Sequence, residues 1–266
     1  MILLGVNTVL FQNQALETAL QTIAWAGYDG IELSAIKGMC EHLDLARWRD
    51  QVQPIRDAAA RYGLRLLSTE VASLDEARLT QAFEACQALG ISRVNVGPGG
   101  QADVEESFVR QTDLLARMAD KAAAYGVILC CKAHVRAAIY NTPTTQRAMA
   151  RIASPAFGID MDPSHIYRAG ERPEEALPQV LSRVRHIHIR DCKGRGPSPG
   201  EPRDQACGRG DMDLFGYCKA LVDGGYDGPV CLEVIGAGAC SETQRAVIAA
   251  ESYGYLNACL KRLKAR

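Results

Sequence analysis

GRGDMDLFGYCKALVDGGYDGPVCLEV, residues 208–234, contains one complete structural unit. Residues 214–223 carry apolar side chains at helical spacing, GGYDG (224–228) is a glycine-marked turn, and the apolar run 230–233 reads as a short strand ending on Glu233. Glycine just past a helix supplies the left-handed cap that turns the chain straight into the next strand. The same punctuation recurs upstream in AGYDG (26–30), RYGL (61–64), ALGI (88–91) and AYGV (124–127). Helical patterns over 15–26, 45–62, 76–89 and 105–125 alternate with short apolar runs at 3–7, 30–33, 65–69, 93–96, 127–132, 157–161 and 186–190.

Together with 230–233 these make eight strand-and-helix repeats, which calls for parallel strands joined by right-handed crossovers. Eight repeats favour closure into a single (β/α)8 TIM barrel of class α/β over an open sheet. No glycine-rich phosphate fingerprint follows the first strand, which argues against a dinucleotide fold. At 266 residues the whole chain, 1–266, fits one barrel domain, and such a core needs no disulfide or structural metal. One segment, KGRGPSPGEPRDQACGRGDMD (193–213), is too long for an ordinary strand-to-helix turn and is expected to lie over the catalytic face.

A formal net charge of −1 argues against nucleic acid or an anionic membrane as the main partner. No apolar run approaches the roughly 20 residues of a membrane span. MILLGVNTVLF at the start reads as a first strand and lacks the features of a signal peptide, so the expectation is a cytoplasmic protein. The ten cysteines show no zinc spacing and are read as small buried hydrophobes of a reducing compartment, with Cys192 placed nearest the pocket. Trp25 and Trp48 are expected to pack in the outer helical ring.

In a barrel the strand C-termini converge on one pocket. Here they offer Asn7, Glu32, Glu70, Asn95, Lys132 with His134, Asp162 with His165, His188 with Asp191, and Glu233. Core packing alone does not explain so many ionisable groups at the ends of apolar strands, so a metal or acid–base site is expected. His186 shares the face of His188 and reads as a packed layer residue, and Glu32 as a bond between neighbouring strand ends.

GYDGIEL (27–33), NTPTT (141–145), DMDPSH (160–165), HIHIRD (186–191) and the 208–234 stretch resemble the sugar phosphate isomerase/epimerase superfamily of xylose isomerase-like barrels. The resemblance implies Asp162, His188 and Glu233 as ligands of a divalent metal, Mn²⁺ or Mg²⁺. It implies substrate contacts from His165 and His134, and a basic residue after strand seven, for which Arg190 and Arg195 are candidates. Two glutamates move protons in that family. One aligns with Glu233, and the place of the other is taken by Lys132, with Glu70 as a neighbouring replacement carboxylate.

A lysine there weakens the case for metal. Three chemistries remain open for Lys132: a neutral base beside a metal, an ammonium standing in for the metal, or an imine-forming amine. The first expectation is therefore an isomerase or epimerase of a small polyol-derived ketone, keto-sugar or hydroxy-keto acid. It would work through an enediolate, with Glu233 and Lys132 as the catalytic pair. The alternatives are a metal-independent lyase or dehydratase, and a non-catalytic ligand-binding or complex-forming barrel. The expected partner is a small carbohydrate-like molecule, and association through the helices into a homo-oligomer is expected of such a barrel.

Overall fold

The computed structural model describes residues 1–266. Eight parallel strands close on one another: β1 (Leu3–Asn7), β2 (Gly30–Ile36), β4 (Arg65–Ala72), β5 (Arg93–Val96), β6 (Ile128–Lys132), β7 (Phe157–Asp160), β8 (Val184–Ile189) and β9 (Pro229–Leu232). Each pairs with its neighbour, β1 pairs with both β9 and β2, and the sheet has no free edge in the barrel. β3 (Cys40–Glu41) is an antiparallel addition that folds back on the end of β2. The chain is a single (β/α)8 TIM barrel, as the repeat count requires.

Nine helices surround it: α1 (Leu16–Ala26), α2 (Trp48–Arg61), α3 (Glu76–Leu89), α4 (Glu105–Ala123), α5 (Thr142–Arg151), α6 (Pro163–Arg168), α7 (Pro173–Val180), α8 (Leu214–Asp223) and α9 (Glu242–Arg262). Gly27 and Gly90 end α1 and α3 with φ of 100° and 77°, the left-handed caps that the sequence punctuation implies. The apolar faces of helices and strands merge into one core of 64 buried residues. Trp48 packs against this core, but Trp25 does not: its side chain is 87% exposed on the outer face of α1, contrary to expectation. All ten cysteines are free thiols, and all but Cys240 are buried. No helix is long and apolar enough to cross a membrane.

The strand ends at the C-terminal rim carry the charged residues. The segment 193–213 follows β8 over this rim and is built on fixed contacts. Asp191 accepts hydrogen bonds from the amides of Cys192 (2.9 Å), Gly208 (2.9 Å) and Met212 (3.3 Å). Gln205 ties the segment to Ile235 through bonds in both directions at 3.0 Å.

Candidate active site

Alternation along a strand points every second side chain into the barrel. On β6 this sends Lys132 inward at the last position, and on β4 it sends in Ser68 and Glu70. Asp160 and Asp162 follow from the end of β7, and His186, His188 and Arg190 from β8. Glu233 enters just past β9. All of these are buried.

Lys132 Nζ stands 2.8 Å from Glu233 Oε1, 3.1 Å from Glu70 Oε1 and 3.1 Å from His188 Nδ1. Glu233 reaches in the other direction as well, with Oε2 2.9 Å from Arg190 Nη1. Arg190 then donates from Nη2 to Asp162 Oδ2 (2.8 Å) and from Nε to Ser164 Oγ (2.8 Å). The result is a continuous chain of ionisable side chains, Glu70–Lys132–Glu233–Arg190–Asp162. Glu70 is fixed from its far side by Asn7, whose Nδ2 donates to Oε2 at 2.6 Å.

A second layer lies below. His188 Nε2 is 2.5 Å from Glu32 Oε2, and its Nδ1 is 2.7 Å from Asp160 Oδ2. Asp160 also accepts from the His188 amide at 2.9 Å and meets His186 Nδ1 at 3.0 Å, while His186 Nε2 meets Ser68 Oγ at 2.9 Å. Glu32 bonds the end of β5 through Asn95 Nδ2. His186 and Glu32 thus act as interior polar packing, bonding strand to strand.

These contacts set the protonation states. Burial disfavours the Lys132 ammonium, but the carboxylates of Glu233 and Glu70 outweigh it and raise the pKa above the ordinary lysine value. Burial opposes the Glu233 charge, yet Lys132, His188 and Arg190 hold its carboxyl well below the usual range. Burial and the nearby Glu233 carboxylate push Glu70 up to about 8. Burial and the Arg190 charge keep His165 well below the ordinary histidine value.

An open cleft of about 380 Å³ lies directly above this chain. Its floor is Glu70, Lys132, Arg190 and Glu233, and its sides include His134, His165 and Arg168. Ile36 and Met39 from the β2–β3 hairpin and Ile235 form an apolar wall, and the strap Pro197–Ser198–Pro199 lies across the mouth. His134 and His165 stack with ring centroids 4.2 Å apart. Of the segment 193–213, Pro197, Ser198 and Pro199 line the cleft.

Not every expected residue gathers there. Arg195 is a correction: its guanidinium stacks on Tyr167 at 4.1 Å and donates to the Tyr167 carbonyl at 2.9 Å, and it does not line the cleft. The stacking on Tyr167 and bonds to the carbonyls of Tyr167 and Glu171 hold the side chain against α6 and the residues that follow it. Asp162 and His188 are close to the floor but do not line it.

The expected metal set also does not close. Side-chain groups whose ligand atoms converge are Glu32–Glu70–His188, Asp160–His186–His188 and Glu32–His186–Cys231, and Asp162 with His188 and Glu233 is not among them. Asp162 and Glu233 are held by Arg190, and both His188 nitrogens are engaged. A divalent ion about 4 Å from the Lys132 ammonium would meet a repulsion of about 8 kcal/mol at an effective dielectric near 20. The donor set at the mouth does not fit Mn²⁺ or Mg²⁺ with Lys132 in this position.

Sequence reasoning missed Arg168 and Asp160. Arg168 follows His165 by three residues, the spacing that puts both on one face of α6. Asp160 precedes Asp162 by two and shares its strand face.

A family model for xylose isomerase-like TIM barrels matches residues 20–259. The chain belongs to the xylose isomerase-like TIM-barrel family. A 3-dehydroshikimate dehydratase of Pseudomonas putida is 26% identical over 235 residues, 82% of this chain and 36% of that protein. The chain thus spans about a third of the length of that curated relative. Among solved structures, D-psicose 3-epimerase from Clostridium cellulolyticum H10 with D-tagatose superposes with a TM-score of 0.77 at 15% identity, covering 97% of this chain and 99% of that one. The IOLI protein with a bound zinc atom gives 0.76 at 19% identity, covering 98% and 97%. At these identities the two structures establish the shared barrel. Members of the xylose isomerase-like family include isomerases, epimerases and dehydratases.

Proposed function

We propose that this barrel is an enzyme that moves a proton next to a substrate carbonyl, with the Lys132 ammonium stabilising the enolate oxygen. The observation that carries this is Lys132 Nζ at the cleft floor, charged and held between Glu70 and Glu233 at 3.1 and 2.8 Å. A fixed cation in a buried site, aimed at the position where negative charge develops, is the electrostatic form of catalysis. The same environment disfavours two other roles for Lys132. A group held as ammonium has no lone pair with which to take a proton or form an imine.

Glu70 is assigned the proton transfer. Its pKa, pushed up to about 8, is closer to neutral pH than that of any other carboxylate at the floor, and a base is most effective when its pKa lies near the working pH. Glu233, pinned between Lys132 and Arg190, acts as the anchor of both cations.

Dehydration is the outcome favoured here. Glu70 as carboxylate takes the proton α to the carbonyl, the enolate expels the β-hydroxyl, and Glu70 returns the proton to the leaving oxygen. One C–H and one C–O bond break, a C=C bond forms, and water leaves. One carboxylate that can take up and release a proton suffices for this, whereas epimerisation calls for proton donors on both faces of the carbon. The naming of the Pseudomonas relative as a dehydratase points the same way. Epimerisation of a keto-sugar is the second reading, favoured by the retained Glu233 at the end of β9.

The test is turnover by the purified chain of 3-dehydroshikimate and, separately, of D-psicose. Loss of water from the first, abolished in Lys132→Met, supports the proposal. Deuterium exchange into D-psicose with epimer formation would select the second reading, and inertness toward both overturns the enolate assignment for these substrate classes.

A further inference from the structure

Every charged side chain on the cleft floor has an oppositely charged partner within hydrogen-bond reach. Lys132 has Glu70 and Glu233, and Arg190 has Asp162 and Glu233. Arg168, on the cleft wall, has none. It is only 8% exposed, yet its guanidinium donates to three neutral acceptors. Nε donates to the Ser164 carbonyl at 3.1 Å, Nη1 to the Pro197 carbonyl at 2.9 Å, and Nη2 to His165 Nδ1 at 3.1 Å. No carboxylate lies within ion-pair distance of it.

A buried guanidinium without an anion is costly to keep, and arginine is seldom buried unless paired. Burial accordingly lowers the pKa of Arg168 below the ordinary arginine value, the reverse of the rise seen for Arg190 beside its two carboxylates. Both residues lie on the same cleft, so the difference marks what the protein leaves unfilled. Each Nη atom makes one hydrogen bond and carries a second N–H, so two donors remain for an incoming acid.

We infer that Arg168 is an anion subsite that receives a carboxylate of the substrate. This rests on the cleft being the substrate site. A carboxylate satisfies the single unpaired cation, whereas a phosphate dianion would leave negative charge over beside Glu233. The placement also separates two jobs: Lys132 faces the reacting carbonyl, and Arg168 holds the acid group at the strap side of the same cleft. The substrate class becomes a compact hydroxy-keto acid in preference to a neutral keto-sugar. The Pro197 carbonyl makes the strap part of the subsite, since the carbonyl and the incoming acid share Nη1.

The test is calorimetric binding of 3,4-dihydroxybenzoate, 3,4-dihydroxybenzamide and glycerol 3-phosphate to the full chain, as wild type, Arg168→Met and Arg168→Lys. The benzoate should bind wild type about ten- to a hundredfold more tightly than the amide, the range a charge-assisted hydrogen-bond pair supplies. Arg168→Met should erase that preference, and Arg168→Lys should keep part of it. If Arg168→Met does not fold, the benzoate–amide comparison on wild type and the lysine variant still decide. Equal binding of benzoate and amide, no binding of either in the millimolar range, or an undiminished preference in Arg168→Met overturns the subsite. Tighter binding of glycerol 3-phosphate than of the benzoate overturns the assignment to a carboxylate. The outcome is separable from the enolate proposal: acid preference without turnover of any substrate leaves the subsite standing and the enolate reading fallen, and turnover with acid and amide bound alike does the opposite.

Discussion

Lys132 Nζ and Glu233 Oε1 are 2.8 Å apart, and their side chains retain only 6% and 4% of their exposure. Lys132 ends β6 and Glu233 directly follows β9, strands that are not neighbours in the barrel, so this ion pair spans the barrel mouth. Glu233 is bound on its other oxygen by Arg190, and Lys132 on its other side by Glu70. Lys132, Glu233 and Arg190 each touch two oppositely charged groups, so removing one of the four takes a partner away from at least one buried neighbour.

Lys132→Met should therefore cost both activity and stability. Loss of the stabilising cation is expected to lower kcat by about 10²–10³. Removing the cation that Glu70 and Glu233 share, while Arg190 still holds Glu233, is expected to lower the unfolding free energy by about 1–3 kcal/mol. Steady-state kinetics and urea denaturation measure the two effects, and wild-type turnover in this variant would be incompatible with the proposed role.

The pH dependence should follow Glu70. The base form is the carboxylate and its pKa is raised to about 8, so activity should climb as pH rises toward 8 and then level off. Glu70→Gln should remove this limb along with most of the activity. Stability should move the opposite way. A carboxyl with a raised folded pKa contributes its stabilisation fully below the unfolded value near 4.5, and that contribution is lost as pH rises through about 8. Melting temperature against pH should show the decline in wild type and less of it in Glu70→Gln.

Asn7 is expected to act as a positioning residue. Its Oδ1 accepts from the Val9 amide at 2.9 Å, which turns Nδ2 toward Glu70 Oε2 at 2.6 Å. Asn7→Leu should lower kcat about tenfold with little change in KM, as the hydrogen bond is worth roughly 1.5–3 kcal/mol when its acceptor is charged. It should also move the Glu70 limb of the pH profile upward. An unchanged profile would assign Asn7 a purely structural part.

Metal content gives an independent check. Wild type loaded with Mn²⁺ and desalted should retain far less than one equivalent, and chelator should leave its activity intact. Stoichiometric retention by elemental analysis would mean that Lys132 leaves its place between Glu70 and Glu233 when an ion binds.

Asp191 should control the segment over the cleft. Three amides, those of Cys192, Gly208 and Met212, donate to its carboxylate. Asp191→Ala leaves these donors unmatched, which should cost about 1–3 kcal/mol for each that stays buried. Limited proteolysis should then cut within 193–213 well before the barrel unfolds.

The barrel was legible in the chain because helix and strand periods are local properties. Gly27 and Gly90 marked helix ends, and Lys132, His134 and Glu233 could be placed at the rim because parallel barrel strands all end on one face. What could not be read was which rim residues face one another. Arg195 and Arg190 looked alike in sequence, yet only Arg190 turns inward, since it continues the inward alternation of β8 while Arg195, five residues on, stacks on Tyr167. Arg168 escaped notice because its importance lies in a missing partner, and the absence of a neighbour is a property of space.

The amino-acid order by itself determined the eightfold repeat, the positions of the turns and the set of ionisable groups brought to the barrel mouth. Only the tertiary structure decided their pairing: Lys132 meets Glu233 across 101 residues of chain, and His188 meets Glu32 across 156. Such contacts depend on barrel closure and on side-chain direction within a few ångströms. The energy of a buried charge varies steeply over that range, and it is this pairing that makes Lys132 a fixed cation.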